Sequence, residues 1–231
     1  MTHVILQEYY ENQPNDMFIN YAKQYSDMPF VIMLDEDENG YKAGRFLRAS
    51  DLGMSGENNE WKPVIQDKLS QQLLVPNGTM GQRWEEGKKW NLKLETEDGT
   101  PIDPMLSMVE SDYHVETIQF PYFDSSGDGI FERPIATRTI QLANGEEVKI
   151  ATVYDLMTSQ YGVQRFEHEL EATSYDDASS KYTPAWQEQI TGIKKELVTK
   201  VAKEFAQNAI DTKGRSMIIM GAGINHWFNS D

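Results

Sequence analysis

Near its carboxyl end the chain carries an apolar run, Ser216-Met217-Ile218-Ile219-Met220, that passes directly into Gly221-Ala222-Gly223-Ile224-Asn225-His226-Trp227. A short apolar run bounded by glycines predicts a buried strand, and glycines just past its end let backbone approach a ligand at the carboxyl edge of a sheet. α/β proteins place their chemistry at that edge. In such folds a helix follows the loop and turns its N-terminal N–H groups toward an anion. Too few residues follow Gly223 to build one, so the sequence reads as a piece of something larger.

The segments before this run support an α/β arrangement at the two ends. Val4, Ile5 and Tyr9, then Met17, Phe18, Tyr21 and Tyr25, recur at helical spacing and predict two short amphipathic helices ended by Pro29. Thr183-Pro184 predicts an N-cap with proline at the first helical position, and Gly192 a stop. A second helix follows, with an apolar stripe of Leu197, Val198, Val201, Ala202, Phe205, Ala206 and Ala209. Feeding the terminal run through Thr212-Lys213-Gly214, that helix makes half of a βαβ unit.

The middle reads as β-rich, because turn signals arrive repeatedly between runs of alternating side chains. Phe30 to Leu34 precedes Asp35-Glu36-Asp37-Glu38-Asn39-Gly40, and Trp90, Leu92 and Leu94 alternate up to Asp98-Gly99. Thr137–Leu142 and Glu147–Thr152 flank Asn144-Gly145, predicting a hairpin that brings Ile140 and Leu142 against Val148 and Ile150. The expected fold class is thus α/β, with an α+β insertion: a helical part over 1–27, a β-rich insertion over 28–169, and helices, terminal strand and glycine loop over 170–231.

With 39% hydrophobic and 11% aromatic residues the chain is expected to fold, and 231 residues suffice for a sizeable core. A formal charge of −16 opposes binding to nucleic acid or anionic lipid. The absence of cysteine excludes disulfides, thiolate metal ligands and iron–sulfur ligation by this stretch. No run approaches the roughly 20 apolar residues of a membrane span, and the segment is expected to be soluble.

Few patterns point to chemistry. Gly221-x-Gly223 begins a dinucleotide fingerprint, but His226 stands where the third glycine belongs; a tight turn with no ligand explains the glycines equally well. Asn225, His226 and Trp227 would floor a polar pocket. Asp35-x-Asp37-x-Asn39-Gly40 and Asp124-x-Ser126-x-Asp128-Gly129 open like calcium loops, yet Phe46 and Ile135 occupy the twelfth positions, so both read as turns. His168-Glu169 lacks a second histidine for zinc, and Tyr175-Asp176-Asp177 reads as the start of a turn. No metal ligand is assigned.

Three stretches, namely His3-Val4-Ile5-Leu6 with the following helix, Tyr182-Thr183-Pro184-Ala185-Trp186 through Gly192, and Ser216 to Trp227, resemble the molybdopterin oxidoreductase superfamily. Further stretches sharpen this to the alpha subunits of membrane-bound respiratory nitrate reductases: Tyr25-Ser26-Asp27-Met28-Pro29, Ala43-Gly44-Arg45-Phe46, Phe120-Pro121-Tyr122-Phe123, Thr152-Val153-Tyr154-Asp155 and Ala172-Thr173-Ser174-Tyr175-Asp176-Asp177. The resemblance implies a Rossmann-like domain interrupted by the insertion. It also implies molybdenum bis(molybdopterin guanine dinucleotide), a [4Fe-4S] cluster held outside this segment, nitrate as substrate, and quinol as the ultimate electron source. Iron–sulfur beta and membrane gamma subunits and a place on the cytoplasmic side of the membrane follow from the same resemblance. Gly221, Gly223 and Asn225 would then approach the cofactor and His226 the substrate pocket, the molybdenum ligand lying elsewhere. Phe228-Asn229-Ser230-Asp231 departs from the family's usual pattern. The competing expectation is an autonomous acidic β-rich interaction module without cofactor.

Overall fold

The computed structural model describes residues 1–87, 92–124, 127–219 and 221, without the side chains of 123, 124, 127 and 128. Helix α1 (Thr2–Leu6) runs on into a π-helical turn, Gln7–Asn12, and α2 spans Asp16–Tyr25. Asn15 caps α2 by accepting a hydrogen bond from Met17 N through its side chain.

Five strands then close a barrel in the order β1 (Val31–Asp37), β2 (Gly40–Phe46), β5 (His114–Asp124), β6 (Gly127–Gln141) and β7 (Glu147–Thr152). Every pairing is antiparallel except β2 with β5, which meet in parallel at Tyr41–Ile118 and Lys42–Gln119. Between β2 and β5 lies a long excursion holding a two-stranded sheet, β3 (Ile65–Gln66) with β4 (Leu73–Leu74), and three short 3-10 turns. Closure leaves no open edge along the paired strands.

The barrel wall is apolar on both sides, which explains the continuous burial of Val31, Ile32, Met33 and Leu34. Val31, Met33, Ala136 and Ile150 pack with Leu47, Val64 and Met108 on one face. Ile32, Leu34, Ile135 and Ala151 pack with Ile118, Phe120 and Phe131 on the other. A third cluster joins the N-terminal helices to the barrel, with Leu6 and Ala22 against Leu106, Tyr154 and Val163.

The predicted hairpin forms, with Ile140 opposite Val148. Leu142 instead donates its N–H to Glu146 O, and Gly145, at φ 88°, completes a three-residue connection. The Asp35–Gly40 stretch is a hairpin turn, as expected: Asp37 faces Gly40, accepts from Asn39 N at 2.8 Å and pairs with Lys42. Leu92 and Leu94 lie outside any strand; Lys93 N and Asn77 N bind the backbone of Asn77 and Glu95 in an irregular loop, while Trp90 falls outside the described residues.

After α3 (Val153–Gln160) a loop leads to α4 (Pro184–Thr191) and α5 (Lys195–Asp211). Thr183 caps α4 through Trp186 N and Gly192 ends it in the left-handed region. The α5 stripe divides: Ala202, Ala206 and Ala209 are buried, whereas Leu197 and Val201 are exposed. The buried strand expected at 216–220 does not form among the described residues. Met217, Ile218 and Ile219 are 76%, 64% and 81% exposed, because no described strand runs beside them to pair their N–H and C=O groups. The described architecture is therefore a mixture of helices and strands built on a small barrel, with no βαβ unit among its described elements.

Candidate functional site

The carboxyl-terminal loop is the sequence's first candidate. Its approach is anchored to α5: Asn208 Nδ2 donates to Arg215 O and to Ser216 Oγ, and Ser216 Oγ donates to Phe205 O. Gly221 is exposed, and a Cβ built on it meets nothing within 4 Å. Gly223, Asn225 and His226 lie outside the described residues. Of the four candidates, only Gly221 lies among the described residues.

The polar interior lies elsewhere and holds a site that the sequence does not announce. Asp155 and the Arg165 side chain are almost fully buried and pair through Oδ1 and Nη1 at 2.8 Å. The same carboxylate accepts from Ser107 Oγ, Met108 N and Thr152 Oγ1 at 2.6, 2.8 and 2.9 Å. Arg165 also reaches Thr158 Oγ1, Ser107 Oγ and, at 3.0 Å from Nε, Glu11 Oε1. Tyr154 donates its hydroxyl to that Glu11 oxygen at 2.6 Å. Burial alone would lower the Arg165 pKa, but the carboxylates of Asp155 and Glu11 reverse this and raise it, so the cation is fixed. The arrangement ties α3, the Met108–Glu110 turn and the N-terminal helix together around the buried guanidinium.

Four further titratable side chains also make structural contacts. His3 is buried, donates from Nδ1 to Tyr161 O at 2.7 Å, and has its pKa lowered chiefly by desolvation. His168 Nδ1 accepts from Leu170 N. Arg133 is buried over the Phe131 ring and donates to the carbonyls of Glu132, Leu170 and Lys181 and to Ser180 Oγ. Asp177 accepts from the N–H groups of Thr173, Ser179 and Ser180, the turn that its sequence position predicts. Among the described residues no three His, Asp or Glu side chains gather to hold a metal ion.

Local geometry thus describes a scaffold, and sequence comparison supplies the family. No family profile matches the chain. It is 52% identical over its whole length to the nitrate reductase alpha chain of Bacillus subtilis (strain 168). Over its whole length the chain matches a stretch of nitrate reductase alpha chains. It is 41% identical to respiratory nitrate reductase 1 alpha chain of Escherichia coli (strain K12) and 40% to the nitrate reductase alpha subunit of Mycobacterium tuberculosis (strain ATCC 25618 / H37Rv), again over its whole length. It spans about a fifth of the length of these alpha chains. The Thr152–Asp155 and Thr173–Asp177 stretches that carry the alpha-subunit resemblance are now seen to be structural. The first caps α3 and receives Arg165; the second builds the turn before α4.

Proposed function

We propose that this chain is a stretch of the catalytic alpha subunit of a respiratory nitrate reductase, which reduces nitrate to nitrite in anaerobic respiration. The observation that carries the reading is the 52% identity running from end to end of the chain. In this reading the enzyme works at molybdenum bis(molybdopterin guanine dinucleotide), receives electrons through [4Fe-4S] centres and a beta subunit from quinol, and sits with a gamma subunit on the cytoplasmic side of the membrane. No described helix is long and apolar enough to cross a membrane.

The cofactor supplies the oxygen-atom and electron chemistry, and the protein contributes binding, orientation and electrostatics. Of the candidate loop the described residues include only Gly221, which is exposed with nothing within 4 Å of a Cβ built on it, and no metal-ligating cluster occurs among the described residues. The segment's part is accordingly scaffolding, and the isolated chain is inactive. In support of a discontinuous domain, the two ends meet across α1 and α5: Glu8 Oε1 accepts from Lys203 Nζ at 2.8 Å and Tyr175 Oη at 2.7 Å, and Tyr9 Oη donates to Lys203 O.

The terminal loop carries the site part of the proposal. Gly221, Gly223 and Asn225 approach the cofactor through backbone and amide groups, and His226 orients nitrate. In the longer alpha chain, Gly223→Val should lower molybdopterin content, because a branched side chain intrudes where backbone must approach. His226→Ala should leave molybdopterin content intact and raise the KM for nitrate. Unchanged cofactor content in the first variant and unchanged kinetics in the second contradict these assignments.

A further inference from the structure

A group of exposed aromatic side chains lies far in sequence from the terminal loop. A cleft of about 570 Å³ opens between the end of α2, the start of β1, the end of β2 and the loops around Trp61 and Met80. Phe30 and Phe46 form its floor, in edge contact at 6.3 Å, with Tyr25, Trp61 and Met80 around them. Arg48 places its guanidinium 5.6 Å above the Trp61 ring and donates from Nη1 to Glu60 O, which fixes the indole in place.

The apolar surface continues past the cleft on both sides. Trp84, 57% exposed, packs on Trp61 at 5.9 Å, and Tyr21, 62% exposed, packs on Tyr25 at 5.1 Å. Tyr25 and Trp61 are themselves 63% and 45% exposed. Isolated exposed apolar side chains are ordinary, but contiguous aromatic rings around a preformed cleft mark an interaction surface. A small molecule filling the cleft would leave Tyr21 and Trp84 uncovered, so the occupant is macromolecular.

The charge and the length of the polypeptide choose among macromolecules. At −16 each, two copies of the chain repel one another, and nucleic acid or anionic lipid is repelled likewise. The matching alpha chains continue for about four times the length of this stretch in one polypeptide, and a surface supplied by the same chain pays no association entropy. We infer that the Tyr21–Tyr25–Phe46–Trp61–Trp84 surface is a docking face buried by another part of the same alpha-chain polypeptide. The inference rests on reading this chain as a stretch of a longer alpha chain. It adds an internal interface at the barrel, independent of the terminal loop.

Hydroxyl-radical footprinting read by mass spectrometry tests it on three samples: the 231-residue chain, the longer alpha chain alone, and the longer chain assembled with its partner subunits. Tyr21, Tyr25, Trp61 and Trp84 should oxidise freely in the first and fall to the level of buried Tyr154 in the second. Equal oxidation in the first two overturns the inference, as does protection that appears only in the third, which would give the face to a separate subunit. Nitrate reduction measured on the same longer chain reports separately on the enzymatic reading. As a second measurement, Trp61→Ala, which in the 231-residue chain loses the Arg48 and Trp84 contacts, should lower the melting temperature of the longer chain by more than that of the 231-residue chain; an equal shift in both overturns the inference.

Discussion

At Asp155 a single carboxylate satisfies the hydroxyls of Ser107 and Thr152, the N–H of Met108 and the Arg165 guanidinium, with no exposure to water. Removing one partner of a buried ion pair costs about 3–5 kcal/mol, since the other charge stays behind without compensation. Asp155→Ala should therefore lower stability by that order in urea unfolding, and Asp155→Asn by less, because it keeps the shape and part of the hydrogen bonding. A loss below about 1 kcal/mol, the scale of an exposed pair, would contradict the assignment. The Thr152-x-x-Asp155 spacing is legible as a capping box, but nothing in the sequence points to Ser107, 48 residues away, or to Arg165. Such a site is assembled only by closure of the barrel. The tyrosines tell the same story: burial pushes Tyr10 up to about 12, and burial together with the Glu11 and Glu8 carboxylates raises Tyr154 and Tyr175 further. A phenol whose folded pKa exceeds its unfolded value of about 10 contributes stability fully below that pH and loses it as pH rises toward the folded value. These three rings should ionise together with alkaline unfolding, after exposed rings such as Tyr21 and Tyr25; if a Tyr154→Phe variant loses tyrosinate absorbance at a pH below the loss of helical circular dichroism, the burial of Tyr154 is contradicted.

Elements framed by local signals were read correctly, and those that depend on a neighbour were not. Thr183-Pro184 and Gly192 bound α4 through cap chemistry contained within a few residues, so the sequence sufficed. Thr183 also donates to Asp177 O at 2.7 Å and is fully buried, so Thr183→Ala should cost at least the ~1 kcal/mol of a lost N-cap in thermal unfolding. An unchanged midpoint would show that the cap is dispensable. The β6–β7 hairpin was likewise visible in Asn144-Gly145. By contrast, Ser216–Ile219 has the composition of a strand and is exposed, because a strand exists only beside another. The π-helical turn at Gln7–Asn12 is not legible either, since helical periodicity does not reveal an i→i+5 ladder. Its consequence is positional: Glu8 reaches Lys203 and Tyr175, while Glu11 reaches Tyr154 and Arg165.

On the scale of the whole molecule, a closed barrel carries two apolar faces and packs the N-terminal helices on its flank, with α5 against α1, while aromatic rings at one cleft and aliphatic side chains on α4 and α5 stay exposed. The mixture of helices and strands was legible from periodicity. Barrel closure was not, because the parallel pairing of β2 with β5 spans a long excursion that no local pattern announces. Of the candidate loop, only Gly221 falls among the described residues, so its role stays with the proposal and its tests. The family was legible in dispersed short stretches, and end-to-end identity to nitrate reductase alpha chains bears it out. The most direct measurement is nitrite production from nitrate with a reduced viologen donor, made on the longer molybdenum-loaded alpha chain and on the 231-residue chain in parallel. The longer chain should form nitrite and the shorter none; a cofactor-loaded longer chain that leaves nitrate untouched, or a 231-residue chain that reduces it unaided, would contradict the account.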